Sequence, residues 1–133
     1  MRSVLDEGVP RSLAKALRAA GIEADPFDAA WGGLKNGELI RTVEAAGYDV
    51  LVTNDKNMGF QQNLDGRRVA IVALPLNRRR LLLERVEDIA ATIRRALPGR
   101  HVLMNLDGTR VSRGPSEDGI ETTSLPSVTS FKS

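Results

Sequence analysis

A short run of branched apolar residues that ends in an acid constrains this chain more than any other feature: YDVLVTNDKNM, residues 48–58. Val50, Leu51 and Val52 lack the polar alternation of a half-exposed strand, so both faces must be covered, as they are in a parallel sheet with helices above and below. Asp55 then falls just past the strand's carboxyl end. In open parallel sheets that rim collects ligands and reacting groups, at the point where strand order reverses. A second apolar run, Ser3-Val4-Leu5, ends the same way in Asp6 and Glu7. Two strands that each bring a carboxylate to one edge suggest a cation site, because clustered carboxylates repel unless a hard cation or a proton lies between them.

The rest of the chain reads as alternating strand and helix. Pro10 is suited to open a helix, and residues 11–20 carry Leu13, Leu17 and Ala20 at helical spacing before Gly21 stops them. Residues 22–27 form a short strand that Pro26 limits to an edge. The glycine-rich stretch around Trp31 reads as a shaped loop with the indole as its packing plug. Asn36 is a good N-cap for a helix over 37–46, with Leu39, Ile40 and Val43 on its apolar side and Glu38 in the first turn, where the dipole favours an acid. A polar loop over 56–66 leads to a strand at 69–74. The Arg78 to Arg80 run reads as a solvated entry to one long helix over 81–97, whose Leu83, Val86, Ile89, Ile93 and Leu97 recur every three or four residues. Pro98-Gly99 breaks it, and 101–106 reads as the last strand, with His101 in a structural role.

At 133 residues the chain is long enough for one domain with its own core. A formal charge of +2 argues against a general basic field for nucleic acid, and the absence of cysteine excludes disulfides and thiolate metal sites. No apolar stretch suits a signal peptide or a membrane span, so a cytoplasmic protein with no membrane partner is expected. Residues 107–133 change character, with six serines and four threonines and almost no adjacent apolar residues. Such a segment buries too little to offset its ordering entropy, which predicts a domain over 1–106 followed by a flexible Ser/Thr-rich tail over 107–133.

Three blocks, LDEGVPRSLAKAL, GLKNGELI and DVLVTNDKNMGFQQNLDGRRVAIVAL, resemble the PIN-like nucleases, specifically the short bacterial PIN-like proteins related to toxin ribonucleases. The similarity covers roughly residues 3–106. It implies an α/β fold of three layers, with a central, mainly parallel sheet of four or five strands and helices on both faces. It also implies a carboxylate cluster holding one or two Mg2+ or Mn2+ ions. Carried over by position, the family's acids fall on Asp6, Glu38 and Asp55, which become the expected metal ligands and catalytic residues. Thr53 matches a small hydroxyl residue two before the last acid, and Asn57 stands where many relatives have a further acid. Glu7 is a supporting acid beside Asp6. The activity implied is hydrolysis of RNA phosphodiester bonds, with an antitoxin protein and a second copy of the chain as expected partners.

The chemistry is coherent on its own terms. Phosphodiester hydrolysis needs a developing negative charge neutralised and hydroxide produced near neutral pH, and a divalent ion held by carboxylates does both. Lys56, Lys35 and Arg78 are the candidates for phosphate contacts, and Gln61 and Gln62 suit backbone contacts more than base reading. Two other readings compete. A phosphoacceptor receiver domain also places acids after the first and third strands, but Leu74-Pro75 and Leu106-Asp107 occupy the places where it needs a hydroxyl and a lysine. A catalytically weak PIN-like binding module acting through a protein partner is the other, and Asn57 favours it.

Overall fold

In the computed structural model the described residues are 1–132, apart from the side chains of Phe60 and Gln61. The elements are, in chain order, β1 (Arg2–Leu5), α1 (Ser12–Ala19), β2 (Glu23–Asp25), a 3-10 turn at Ala29–Trp31, α2 (Asn36–Ala45), β3 (Val50–Thr53), α3 (Met58–Gln61), β4 (Ala70–Ala73), α4 (Arg79–Glu84), α5 (Val86–Arg94), β5 (His101–Met104), β6 (Arg110–Ser116) and β7 (Gly119–Leu125). All seven strands lie in one sheet, in the order β2-β1-β3-β4-β5-β6-β7. The first five are parallel and the last two antiparallel.

The layering follows from side-chain alternation. Successive residues of β3 point to opposite faces, so Val50 and Val52 enter one core while Leu51 enters the other. The first core is covered by Leu13 and Leu17 of α1, Leu82 of α4 and Ile89 and Ile93 of α5. The second is covered by Leu39, Ile40 and Val43 of α2 and by Met58 of α3. Helices on both faces explain why β3 and β4 are buried along their whole length. The α/β class and the helices on both faces therefore match the sequence, but the sheet is larger and mixed.

The expected flexible tail over 107–133 is corrected most fully. Residues 110–125 form a hairpin that extends the sheet beyond β5, which is not the last strand. The inward positions of β6 are Arg110, Ser112 and Gly114 rather than aliphatic residues. Arg110 is buried with no carboxylate in ion-pair contact among the described residues, its Nη1 donating to Thr92 Oγ1 at 2.9 Å and its Nε and Nη2 to the Pro126 carbonyl at 2.9 and 2.6 Å. Neutral oxygens thus satisfy the guanidinium, and the strand gains by backbone pairing what it lacks in apolar area. Beyond the hairpin, Phe131 is 1% exposed within the first core. Its N–H donates to the Leu106 carbonyl at 2.8 Å, and the Val128 N–H donates to that of Gly108 at 2.8 Å. Gly108, at φ 91°, passes so close to the Val128 carbonyl that a β-carbon would overlap it.

Two further expectations change. The single helix over 81–97 is two, broken at Arg85 with φ −113° and ψ 20°, and the Arg85 Nε donates to the Ser130 carbonyl at 2.7 Å. The polar loop over 56–66 contains the short helix α3, held by Met58, which is fully buried. Where α3 meets the sheet, Gly59 lies against His101 so closely that a β-carbon there would overlap the imidazole.

His101 is buried. Burial, with the Arg113 charge adding, lowers its pKa from 6.5 to about 4. The unfolded chain therefore binds a proton that the folded chain excludes. Its contribution to stability is complete above pH 6.5 and is lost as pH falls toward 4, by up to about 3 kcal/mol. Urea midpoints measured across that window should fall with acidity, and His101→Asn should flatten the slope; an equal slope in both proteins refutes the assignment. For the clasp at residues 128–131, Phe131→Ala should cost about 3–5 kcal/mol in urea unfolding, whereas a loss well under 1 kcal/mol, as for a surface residue, would show the segment to be loosely held.

Candidate functional site at the β1/β3 rim

The strand order reverses between β1 and β3. From β1 the chain crosses over the first face by α1 to β2, and it returns over the second face by α2 to β3 on the other side of β1. The loops leaving the two strands therefore diverge, and a crevice opens at their carboxyl ends. Asp6 follows β1 directly, and Asp55 lies two residues beyond β3.

Backbone pairing seats Asp6 first. Its N–H donates to the Val52 carbonyl at 2.7 Å, which carries the β1/β3 ladder one residue past β1. Its carboxylate then accepts two bonds, from the Glu7 N–H at 2.8 Å on Oδ1 and from the Thr53 hydroxyl at 2.7 Å on Oδ2. Thr53, fully buried, uses the same oxygen to accept from the Asp55 N–H at 3.0 Å. One hydroxyl thus links the two acids. Asp55 shapes the entry to α3: its Oδ1 accepts from the Asn57 N–H at 2.9 Å, its carbonyl accepts from the Met58 N–H at 3.3 Å, and its Oδ2 faces the Asn36 amide at 3.4 Å. Both carboxylates are half-buried.

Glu38 lies apart from this arrangement. It is in the first turn of α2, as expected, but it is exposed. Among the described residues no group of three or more acid, histidine or cysteine side chains is placed to hold an ion. Asn36 takes the neighbouring role instead. It is the first residue of α2 rather than its N-cap, which is Lys35, and this frees its amide to reach Asp55. The signal in the sequence was the amide two residues before Glu38, read there as a cap.

The remaining candidates follow from topology. Every loop that leaves a parallel strand at its carboxyl end opens on this rim. Glu7 and Arg11 come from the loop after β1, Lys35 from that after β2, Lys56 and Asn57 from that after β3, and Arg78 from that after β4; all are exposed. Arg11 was not singled out from the sequence. Two of these loops touch: the Asn54 amide donates to the Gly8 carbonyl at 3.4 Å, and its Oδ1 stands 2.6 Å from where a β-carbon on Gly8 would lie. Only glycine fits there without moving Asn54. Gln62 reaches the start of α2, with its Oε1 3.0 Å from the β-carbon position of Gly37, while the Gln61 side chain lies outside the described residues.

No family model matches the chain, and no curated protein or solved structure matches it.

Thr53→Val keeps the shape but removes the donor to Asp6 and the acceptor for the Asp55 N–H. It should cost about 1–3 kcal/mol in denaturant unfolding, while Thr53→Ser, which restores the hydroxyl, should cost less than about 1 kcal/mol. Equal effects for the two would mean that the methyl group, not the hydroxyl, holds the rim.

Proposed function

We propose that this chain is a PIN-like, metal-dependent endoribonuclease that hydrolyses RNA phosphodiester bonds, acting in the cytoplasm as the toxin of a toxin-antitoxin pair. The observation that carries this reading is the Asp6–Thr53–Asp55 linkage at the carboxyl ends of adjacent parallel strands. Among the described residues each of the four carboxylate oxygens engages a single donor, which leaves acceptor capacity on both acids for an ion. Two half-buried carboxylates suit Mg2+ or Mn2+, which keeps several waters and takes one or two protein carboxylates. An ion bound by Asp6 and Asp55 supplies positive charge at the scissile phosphate and a water of lowered pKa.

The chain's own residues do the rest. Asn36 and the Asn57 backbone hold the Asp55 carboxylate in one orientation, and Thr53 does the same for Asp6. Lys35, Lys56, Arg11 and Arg78, on loops that open on the same rim, bring positive charge on flexible stems, suited to neighbouring phosphates and not to base edges. Among the described residues no helix is long and apolar enough to cross a membrane.

The strand order β2-β1-β3-β4-β5 is also that of flavodoxin-like folds, receiver domains included, so topology does not separate hydrolysis from phosphoacceptance. The side chains favour hydrolysis: Leu74, fully buried, follows β4 where a receiver needs a hydroxyl. One specific observation favours the binding module instead. Asn36 and Asn57 flank Asp55, and Glu38 is turned to solvent, so two acids rather than three meet at the rim.

Cleavage of a mixed RNA pool should require Mg2+ or Mn2+, stop on chelation, and fall at least about a hundredfold in Asp6→Asn and Asp55→Asn. Glu38→Gln should leave the rate nearly unchanged. Cleavage that survives chelation overturns the metal mechanism. Manganese binding by calorimetry that is abolished in the two variants, with no RNA cut, leaves the binding module.

A further inference from the structure

The two ends of the sheet are treated very differently. At the β2 end the edge strand has three residues and Pro26 follows it. A side chain already occupies an outward carbonyl, with Arg18 Nε donating to Ala24 O at 2.7 Å. Arg2 covers the neighbouring Tyr48 ring at 4.4 Å, and the Tyr48 hydroxyl donates to Asp25 at 2.6 Å. This edge is short, charged and blocked, as exposed edges in monomeric proteins usually are.

The β7 end has fewer of these devices, although Pro126 follows it as Pro26 follows β2. Gly119–Leu125 is seven residues long, and all but Leu125 are exposed. The strand is regularly paired to β6 over its whole length, and it ends the sheet, so among the described residues no further strand pairs with its outer row of backbone groups. It contains no lysine, arginine or proline, and Glu121 is its only charge. Ile120 is 62% exposed on one face.

We infer that β7 is a self-association edge, on which a second copy of this chain pairs antiparallel to make one sheet continuous through both protomers. Symmetry selects the register. A two-fold axis that reverses the strand while keeping both copies side by side must stand perpendicular to the sheet, so it passes through a single residue and each side chain faces one from the same face. Centred on Glu121, it sets two carboxylates opposite each other, which is unfavourable. Centred on Thr123, it shortens the ladder to residues 121–125. Centred on Thr122, it pairs the whole strand, with Thr122 facing its own copy, Ile120 facing Ser124, and Glu121 facing Thr123. Within the chain the Thr123 hydroxyl already donates to Glu121 at 3.1 Å, so the carboxylate meets hydroxyl groups and no like charge. The area available to one strand edge is at the small end of specific interfaces, and the dimer it makes is weak, with a dissociation constant of about 1–100 µM.

Sedimentation equilibrium of the full chain from about 1 µM to about 1 mM should show the mass rising toward twice 14.5 kDa. Thr122→Lys sets two ammonium groups opposite each other and should weaken the dimer roughly fivefold or more, while Thr123→Lys faces Glu121 of the other copy and should tighten it several-fold. Circular dichroism should be unchanged in both. A single-chain mass at every concentration overturns the inference, whether or not a strand from another protein binds there. So does a dimer that responds equally to the two substitutions. Neither result depends on RNA cleavage, so failure here is distinct from failure of the proposed activity.

Discussion

Adjacent parallel strands must end at the same edge, and the rest of this molecule is arranged around that constraint where β1 meets β3. The backbone bond from Asp6 to Val52 extends the pairing to the last residue before the loops part. Beyond it the two chains leave over opposite faces, so the only groups able to bridge the gap are short side chains. A threonine hydroxyl does so, tying the Asp6 carboxylate to the Asp55 backbone. The helices packed on both faces make the rim rigid, because shifting either loop means moving a strand that is buried along its length.

The parts of this arrangement that were legible in the sequence are those written in apolar runs. Val50 to Val52 and residues 70–73 lack polar alternation because helices cover both sides, and the acids just past Leu5 and Thr53 could be placed on one rim from that alone. The phase of α2 was legible, since Leu39, Ile40 and Val43 are the residues it buries. The role of Glu38 came instead from the resemblance, and residues 36 and 38 lie about 200° apart around a helix, so the side that turns the Asn36 amide toward Asp55 leaves Glu38 exposed.

The carboxyl-terminal hairpin was misread for a different reason. Its buried positions hold an arginine, a serine and a glycine, so a test based on apolar content finds no core-facing stripe. What orders it is polar: a guanidinium satisfied by Thr92 and Pro126, and a full ladder of strand pairs. The local signal was the Asp118-Gly119 turn between two stretches rich in threonine, serine and β-branched residues, with Gly119 at φ 117°. The break at Arg85 was hidden because α4 and α5 face the same core, so the three-and-four spacing continues across it. Only the distant Ser130 carbonyl, which receives the Arg85 side chain, marks the position.

The blocked edge at β2 carries a consequence for aggregation. A sheet open at both ends can add copies without limit, which is the geometry of fibres. Here Arg18 occupies a carbonyl that an incoming strand would need, and Pro26 follows the strand after three residues. Growth along the hydrogen-bonding direction therefore has a built-in terminus, and any pairing at the far side yields a closed object of finite size.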